Sequence, residues 1–392
     1  MTKKNKTLTT ETQLVHDERH AEGAIAPPIY QSSLFAFRDY QAMVDRYQGD
    51  AHQAVYSRID NPTNNVLHDK IATLERGGEA VAFASGMAAI SNTILSIVDP
   101  GDRIVCVNHV YPDTYRFLRG FCARFNVATD FVDGTDPAEI EARLPGAKLL
   151  YLESPNSWMM QEQNLEAAAS LAKKHGVTTI ADNSWASPIN QKPLDLGIDL
   201  VVHSASKYIS GHSDTVAGVV VGSAEMVEQI NRDVRPYLGA SLSAGDAARL
   251  IRGLRTLPLR MRRHHDTGLQ IAERLAEHAD VMQVCHPGLH KKDFSHLSGY
   301  GGLFSFEMGE AVDIPRFCDA LEIFRLGVSW GGYESLIVPA GVAHNQAGQH
   351  NAAVDFKVPP RMIRLFTGLE DPGDLWNDLA SAFKAAGRDR SD

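Results

Sequence analysis

The feature that most constrains this chain is a repeated unit. A short continuous apolar run ends in a polar or small residue, and a stretch with helical spacing follows. Such runs lie at about 79–84, 103–107, 129–132, 148–152, 177–181, 199–202 and 217–221. A strand with one wet face alternates apolar and polar residues, whereas a continuously apolar strand is covered on both faces. Strands of the second kind separated by helices predict an α/β fold built on a large, mostly parallel sheet. The helices are expected at about 63–76, 85–97, 113–125, 137–143 and 165–175.

The polar residues that could carry chemistry follow these strands: Ser85, Gly86 and Met87, then Tyr111, Glu153, Asp182, and the run Ser204, Ser206, Lys207. In an open parallel sheet, ligands bind outside the carboxyl ends of the strands, so the fold carries these distant residues to one rim. Lys207 follows a buried strand and lies between hydroxyls and a glycine, Gly211. Partial loss of hydration there lowers a lysine pKa and frees the amine to attack an aldehyde. Read alone, the same segment also fits a solvated lysine in a polar loop.

The remaining residues give the aldehyde reading its content. If the ligand is an aldehyde cofactor with a phosphate and a ring nitrogen, Lys207 holds it as a Schiff base. Ser85, Gly86 and Met87 open a helix whose N–H groups suit the phosphate, and Ser204 and Ser206 add hydroxyls. Asp182 pairs with a protonated ring nitrogen, and Tyr111 stacks on the ring. Arg364, in an apolar strand, has the planar fork that suits the carboxylate of an amino-acid substrate.

Composition bounds the alternatives. The 392 residues are 44% hydrophobic with a formal charge of -10, which disfavours nucleic acid or an acidic membrane as partner. No apolar run approaches a membrane span, and four scattered cysteines without a C-x-x-C pair point to a reducing, cytoplasmic setting. We expect an irregular N-terminal arm over 1–55, a ligand-binding large domain over 56–250, and a connecting helix with a smaller α/β domain over 251–392. The long helical region from 245 to about 276 is expected to break near Thr256, Leu257 and Pro258. Strands are expected at 302–307 and 361–366, and a last helix to about 386.

A set of motifs then narrows the reading. They are Tyr56 and Arg58 with Asn61, Pro62 and Thr63; Ser85–Gly86–Met87; Glu153 and Pro155; Asp182–Asn183; Ser204 to Asp214 around Lys207; Ser329–Trp330 through Ser335; and Arg364 with Gly368 to Asp371. Together they resemble the Cys/Met-metabolism family of pyridoxal-phosphate enzymes, the group of cystathionine β-lyase, cystathionine γ-lyase, cystathionine γ-synthase and methionine γ-lyase. The resemblance implies pyridoxal 5'-phosphate as cofactor, the aspartate-aminotransferase type of fold (fold type I), an amino-acid substrate and a homotetramer built from two tight dimers. It also implies that Tyr56 and Arg58 reach the cofactor phosphate of a neighbouring subunit, and that Lys207 and Tyr111 move protons. Ser329, Trp330 and Tyr237 resemble substrate-contacting positions of bacterial cystathionine β-lyases, so β-elimination of cystathionine is the expected reaction. Asn61–Pro62–Thr63 and Val328 resemble the γ-acting members, leaving γ-elimination or γ-replacement on methionine, cystathionine or canavanine as the alternative. The segment Asn156–Ser157–Trp158 differs from the commoner Asn-Pro after Glu-Ser-Pro. A metabolite-binding regulatory protein on the same scaffold is the rival from outside enzymes.

Overall fold

The computed structural model describes residues 8–16, 23–348 and 350–387. The seven apolar runs form the strands β1 (Glu79–Phe83), β2 (Arg103–Val107), β3 (Ala128–Val132), β4 (Leu149–Glu153), β5 (Thr178–Asp182), β6 (Leu200–His203) and β7 (Gly218–Gly222). They make one sheet in the order β1-β7-β6-β5-β4-β2-β3. Only β7 runs against the rest, between β6 and β1. The sheet is therefore mostly parallel, as its continuous apolar strands require, and β4, β6 and β7 are buried along their whole length.

Register sets up the site. Glu153 on β4 lies beside Asp182 on β5, and Asp182 lies beside Val202 on β6, so successive strand ends form one edge. The N-terminus of the helix Gly86–Leu95 is pressed onto this edge. A Cβ on Gly218 would lie 2.2 Å from the Ser85 carbonyl oxygen, so only glycine permits that approach.

A second sheet in the order β10-β11-β12-β9-β8 comprises β8 (Val281–Cys285), β9 (Leu303–Met308), β10 (Arg325–Leu326), β11 (Leu336–Pro339) and β12 (Met362–Phe366). Strands β9 and β12 match the expected ones. The other three are unexpected: β8 has two exposed positions, β10 has only two residues, and β11 is a short apolar run, Leu336 to Val338, that ends in proline.

Three expectations need correction. The helix Ala244–Ala276 is continuous through Pro258. Leu254, Leu257 and Met261 are buried along it, and the Arg260 guanidinium donates to the carbonyls of Gly253 and Tyr208, so packing and a side chain bridge the turn that proline weakens. The helix after Tyr111 begins at Pro112, widens into a π turn at Phe117–Phe121 and tightens into a 3-10 turn at Cys122–Phe125. Within the arm, whose residues 1–7 and 17–22 lie outside the described residues, Thr10–Val15 and Tyr40–Gln48 are helical. The first is held by Leu14, which is buried among Leu67, Ile71 and the long helix. Among the described residues no helix is long and apolar enough to cross a membrane.

Candidate active site

A cavity of about 340 Å³ opens at the carboxyl edge of the seven-stranded sheet. It is lined by Ser85, Gly86, Met87, Tyr111, Asp182, Ser204, Ser206, Lys207, Ser329, Trp330 and Arg364, gathered from residues 85 to 364 of the chain. Wider clefts of about 440 and 560 Å³ lie elsewhere. The first has its lysine, Lys192, held by the carbonyls of Leu74 and Pro188, and the second has no lysine in its wall.

Lys207 is half-buried on the turn after β6. Its Nζ donates to Ser329 Oγ at 2.8 Å and lies 5.6 Å from the centre of the Trp330 ring. Burial, helped by the nearby Arg364 cation, pulls its amine down to about 8, with the Asp182 carboxylate opposing. An amine so placed is partly neutral near pH 8 and can act as nucleophile or base.

Asp182 ends β5, where Ser184 N–H donates to it at 2.9 Å. Burial raises its carboxyl and that of Glu153, and the charge of Asp182 raises Glu153 further, to about 8. Two buried carboxyls side by side invite one cation. Glu153 is engaged on both oxygens, by Tyr111 N–H at 2.7 Å and by the Ser157 hydroxyl at 2.6 Å. Asp182 accepts on its other oxygen only a long bond, from the Tyr151 hydroxyl at 3.5 Å, and it lines the cavity, so it is the carboxylate with more capacity to meet a ligand cation.

At the opposite wall, Ser85 caps the helix Gly86–Leu95 by accepting from Ala88 N–H at 3.0 Å. The first N–H groups of a helix have no acceptor inside it, so those of Gly86 and Met87 are open to an anion. Ser204 sits against Gly86, with its N–H donated to Ser184 Oγ at 2.7 Å. Ser206 also lines the cavity, but its hydroxyl already donates to the Ala217 carbonyl and accepts Ala217 N–H.

Arg364 on β12 is 8% exposed and reaches into the cavity, where one nitrogen donates to the Val328 carbonyl at 3.1 Å. Burial pulls its guanidinium down to about 10. Among the described residues it has no carboxylate within ion-pair distance, so most of its five donors are uncommitted.

Residues 11–384 match the family described as Cys/Met metabolism PLP-dependent enzyme. The chain belongs to that family. It is 38% identical to an L-methionine gamma-lyase of Pseudomonas putida over 96% of this chain and 97% of that protein. It is 34% identical to a cystathionine gamma-lyase of Bacillus subtilis over 97% of this chain and 99% of that one. The crystal structure of cystathionine gamma-lyase from Lactobacillus plantarum complexed with L-serine superposes with a TM-score of 0.89 at 35% identity, covering 97% of this chain and 99% of that chain. The chain is thus a pyridoxal-phosphate-dependent lyase of fold type I.

As a member of the Cys/Met metabolism family, the chain offers a group for each part of the cofactor: Lys207 for the aldehyde, Asp182 for the ring nitrogen, and the helix start at 86–87 with Ser204 for the phosphate. One part is thinly served. Among the described residues the cations in the wall are Lys207 and Arg364, and neither is on the helix whose N-terminus suits the phosphate.

Three expected site residues lie outside this cavity. Tyr56 and Arg58 are exposed, with the Arg58 guanidinium 5.9 Å from the Tyr56 ring centre and donating to the Pro236 carbonyl at 2.7 Å. Tyr237 follows that proline on the short helix Arg235–Leu238 and is 80% exposed. This helix is fixed to the Tyr56–Arg58 loop by Arg235, which donates to the Ile59 carbonyl at 2.9 Å, and Tyr237 does not line the cavity. Sequence reasoning gave no site role to Ser184 and Trp185 in the wall, nor to Ser157 in the wall and Trp158 behind Arg364, although it noted the segment 156–158 as a departure from the family pattern. All four follow strand ends already singled out, β4 and β5, which was the available signal.

Proposed function

We propose that this lyase is γ-acting: it removes the γ-substituent of a sulfur amino acid of the L-methionine type, releasing a thiol, 2-oxobutanoate and ammonia with uptake of one water. The observation that carries the reading is the similarity to L-methionine gamma-lyase along 96% of the chain. The wall agrees with it. Val328 beside Ser329 is 86% exposed and apolar, so it suits a neutral side chain better than the distal ammonium of cystathionine. The β-elimination expected from Trp330 is less well supported, because the relatives reported above are named gamma-lyases, although that indole does line the cavity while packing on Tyr208.

When bound, pyridoxal 5'-phosphate supplies an aldehyde that captures the substrate amine and a ring that accepts electrons. Arg364 binds the α-carboxylate through its free donors. Asp182 holds the positive charge of the ring nitrogen in place. Lys207, freed when the cofactor passes to the substrate amine and acting in its neutral form, would take the Cα proton, hand it back to the cofactor-bound substrate, and only then take a Cβ proton, a second removal that γ-elimination requires and β-elimination does not. Tyr111, 38% exposed, is the proton donor assigned to the departing group; its hydroxyl donates to Asp113 Oδ2 at 2.8 Å and would have to turn from it, and burial first and the Asp113 carboxylate second keep it protonated.

Tyr56 and Arg58 are assigned to a neighbour's phosphate site, a reading supported by the few cations near 86–87, and Tyr237 to the same neighbour's substrate space; the assembly proposed is the homotetramer, a dimer of dimers, that the family resemblance implies. Residues 56–250 and 251–392 are taken as the cofactor-binding and smaller domains. The four free cysteines suit a cytoplasmic enzyme. The deciding experiment incubates purified holoenzyme with L-methionine and with L-cystathionine and identifies the oxo acid. Formation of 2-oxobutanoate supports the reading, whereas pyruvate and homocysteine from cystathionine would restore β-elimination.

A further inference from the structure

We propose that Trp158 is a positioning residue for the substrate carboxylate: its indole face carries the Arg364 guanidinium in place of a counter-ion. The inference rests on Arg364 as the carboxylate site. The guanidinium carbon lies 5.2 Å from the centre of the Trp158 ring, within cation–π range. Both side chains are buried, Trp158 at 4% and Arg364 at 8% exposure.

A buried arginine needs compensation for lost hydration, and the usual compensation is a carboxylate. A protein carboxylate would occupy the same planar fork that the substrate must use. An aromatic face stabilises the cation and leaves every N–H free. The rest of the surroundings fits that division of labour. Glu153, the nearest acidic influence on Arg364, has both oxygens committed to Tyr111 and Ser157. Among the described residues the protein acceptor of Arg364 is the Val328 carbonyl at 3.1 Å.

The indole is placed by its faces rather than by its polar edge. Trp158 Nε1 is buried without a hydrogen-bond partner, a cost that an N–H free ring of similar size would avoid. The ring packs against Ala340, Ala353, Val358 and Met362. Met362 stands two positions before Arg364 on β12, hence on the same face of the strand, so one indole spans both.

The test uses holoenzyme and two small probes, glycine and glycinamide, titrated by the change in visible absorption of the bound cofactor. Both present an amine, and only glycine presents a carboxylate. In Trp158→Leu the preference for glycine over glycinamide should fall on the order of tenfold, with glycinamide binding and cofactor content unchanged. Trp158→Phe, which keeps a π face and removes the unpaired N–H, should fall by only about two- to threefold. Equal weakening of both probes, or an undiminished preference, overturns the proposal. If Leu prevents folding, an undiminished preference in the Phe variant overturns it alone. Arg364→Leu, which removes the cation, separates the two levels. If it too leaves the preference intact, the carboxylate assignment of Arg364 fails; if it abolishes the preference while the Trp158 variants do not, only the role of Trp158 fails.

Discussion

Lys207 Nζ donates to Ser329 Oγ across 2.8 Å, a contact between residues 122 positions apart that ties the turn after β6 to the loop before β11. The backbone enforces it: Gly331 has φ +92, and a Cβ there would lie 2.8 Å from Lys207 Cα. The neighbouring Val328 carbonyl holds Arg364. Two consecutive residues of one loop thus orient both cations of the cavity.

Ser329→Ala should leave cofactor bound and lower kcat by a factor of about three to ten, because an exposed hydrogen bond to a charged amine is worth roughly 1 kcal/mol net. Steady-state kinetics beside the visible spectrum of the variant measures both. An unchanged kcat would mean that the contact is not used in turnover.

The pH dependence follows from Lys207. Its amine is pulled down to about 8, mainly by burial, and only the neutral form accepts a proton. Below that pH the amine is protonated and kcat falls; above it the profile levels. A kcat that stays flat across this window would assign the base to another group.

Mixing tests the shared site. Arg58→Ala and Lys207→Ala are each expected to be inactive, yet a hybrid dimer contains one site with both residues intact. With random exchange about a quarter of wild-type activity should return. Exchange verified by mass spectrometry without any activity would place Arg58 outside the site.

Gly218→Ala probes the packing of the phosphate-side helix. The added Cβ meets the Ser85 carbonyl at 2.2 Å and Ala89 Cβ at 2.8 Å, and backbone must move. Overpacking of this kind costs about 1–3 kcal/mol, so a lower melting temperature and weaker retention of cofactor are expected together. Calorimetry and dialysis followed by absorbance read the two effects.

Much of this protein is determined by its sequence alone. Continuous apolar runs make buried strands wherever they fall, so β1 to β7 and their mostly parallel pairing follow from local pattern, and with them the convergence of Ser85, Asp182 and Lys207 on one edge. The expectation that Tyr111, Ser329 and Arg364 join that edge agrees with the cavity wall. What local pattern could not decide depends on long-range packing. The helix through Pro258 continues because Arg260 and buried leucines from distant contacts outweigh a local penalty. The strands β8 and β11 exist because β9 and β12 offer them partners, and β10 in turn pairs with β11. Tertiary structure alone sets the state of each group. Lys207 is lowered by burial beside Arg364, Glu153 is raised by burial beside Asp182, and Arg364 rests on Trp158. Hydration and electrostatic fields depend on which atoms surround a charge, and residues 158 and 364 become neighbours only after the chain has folded.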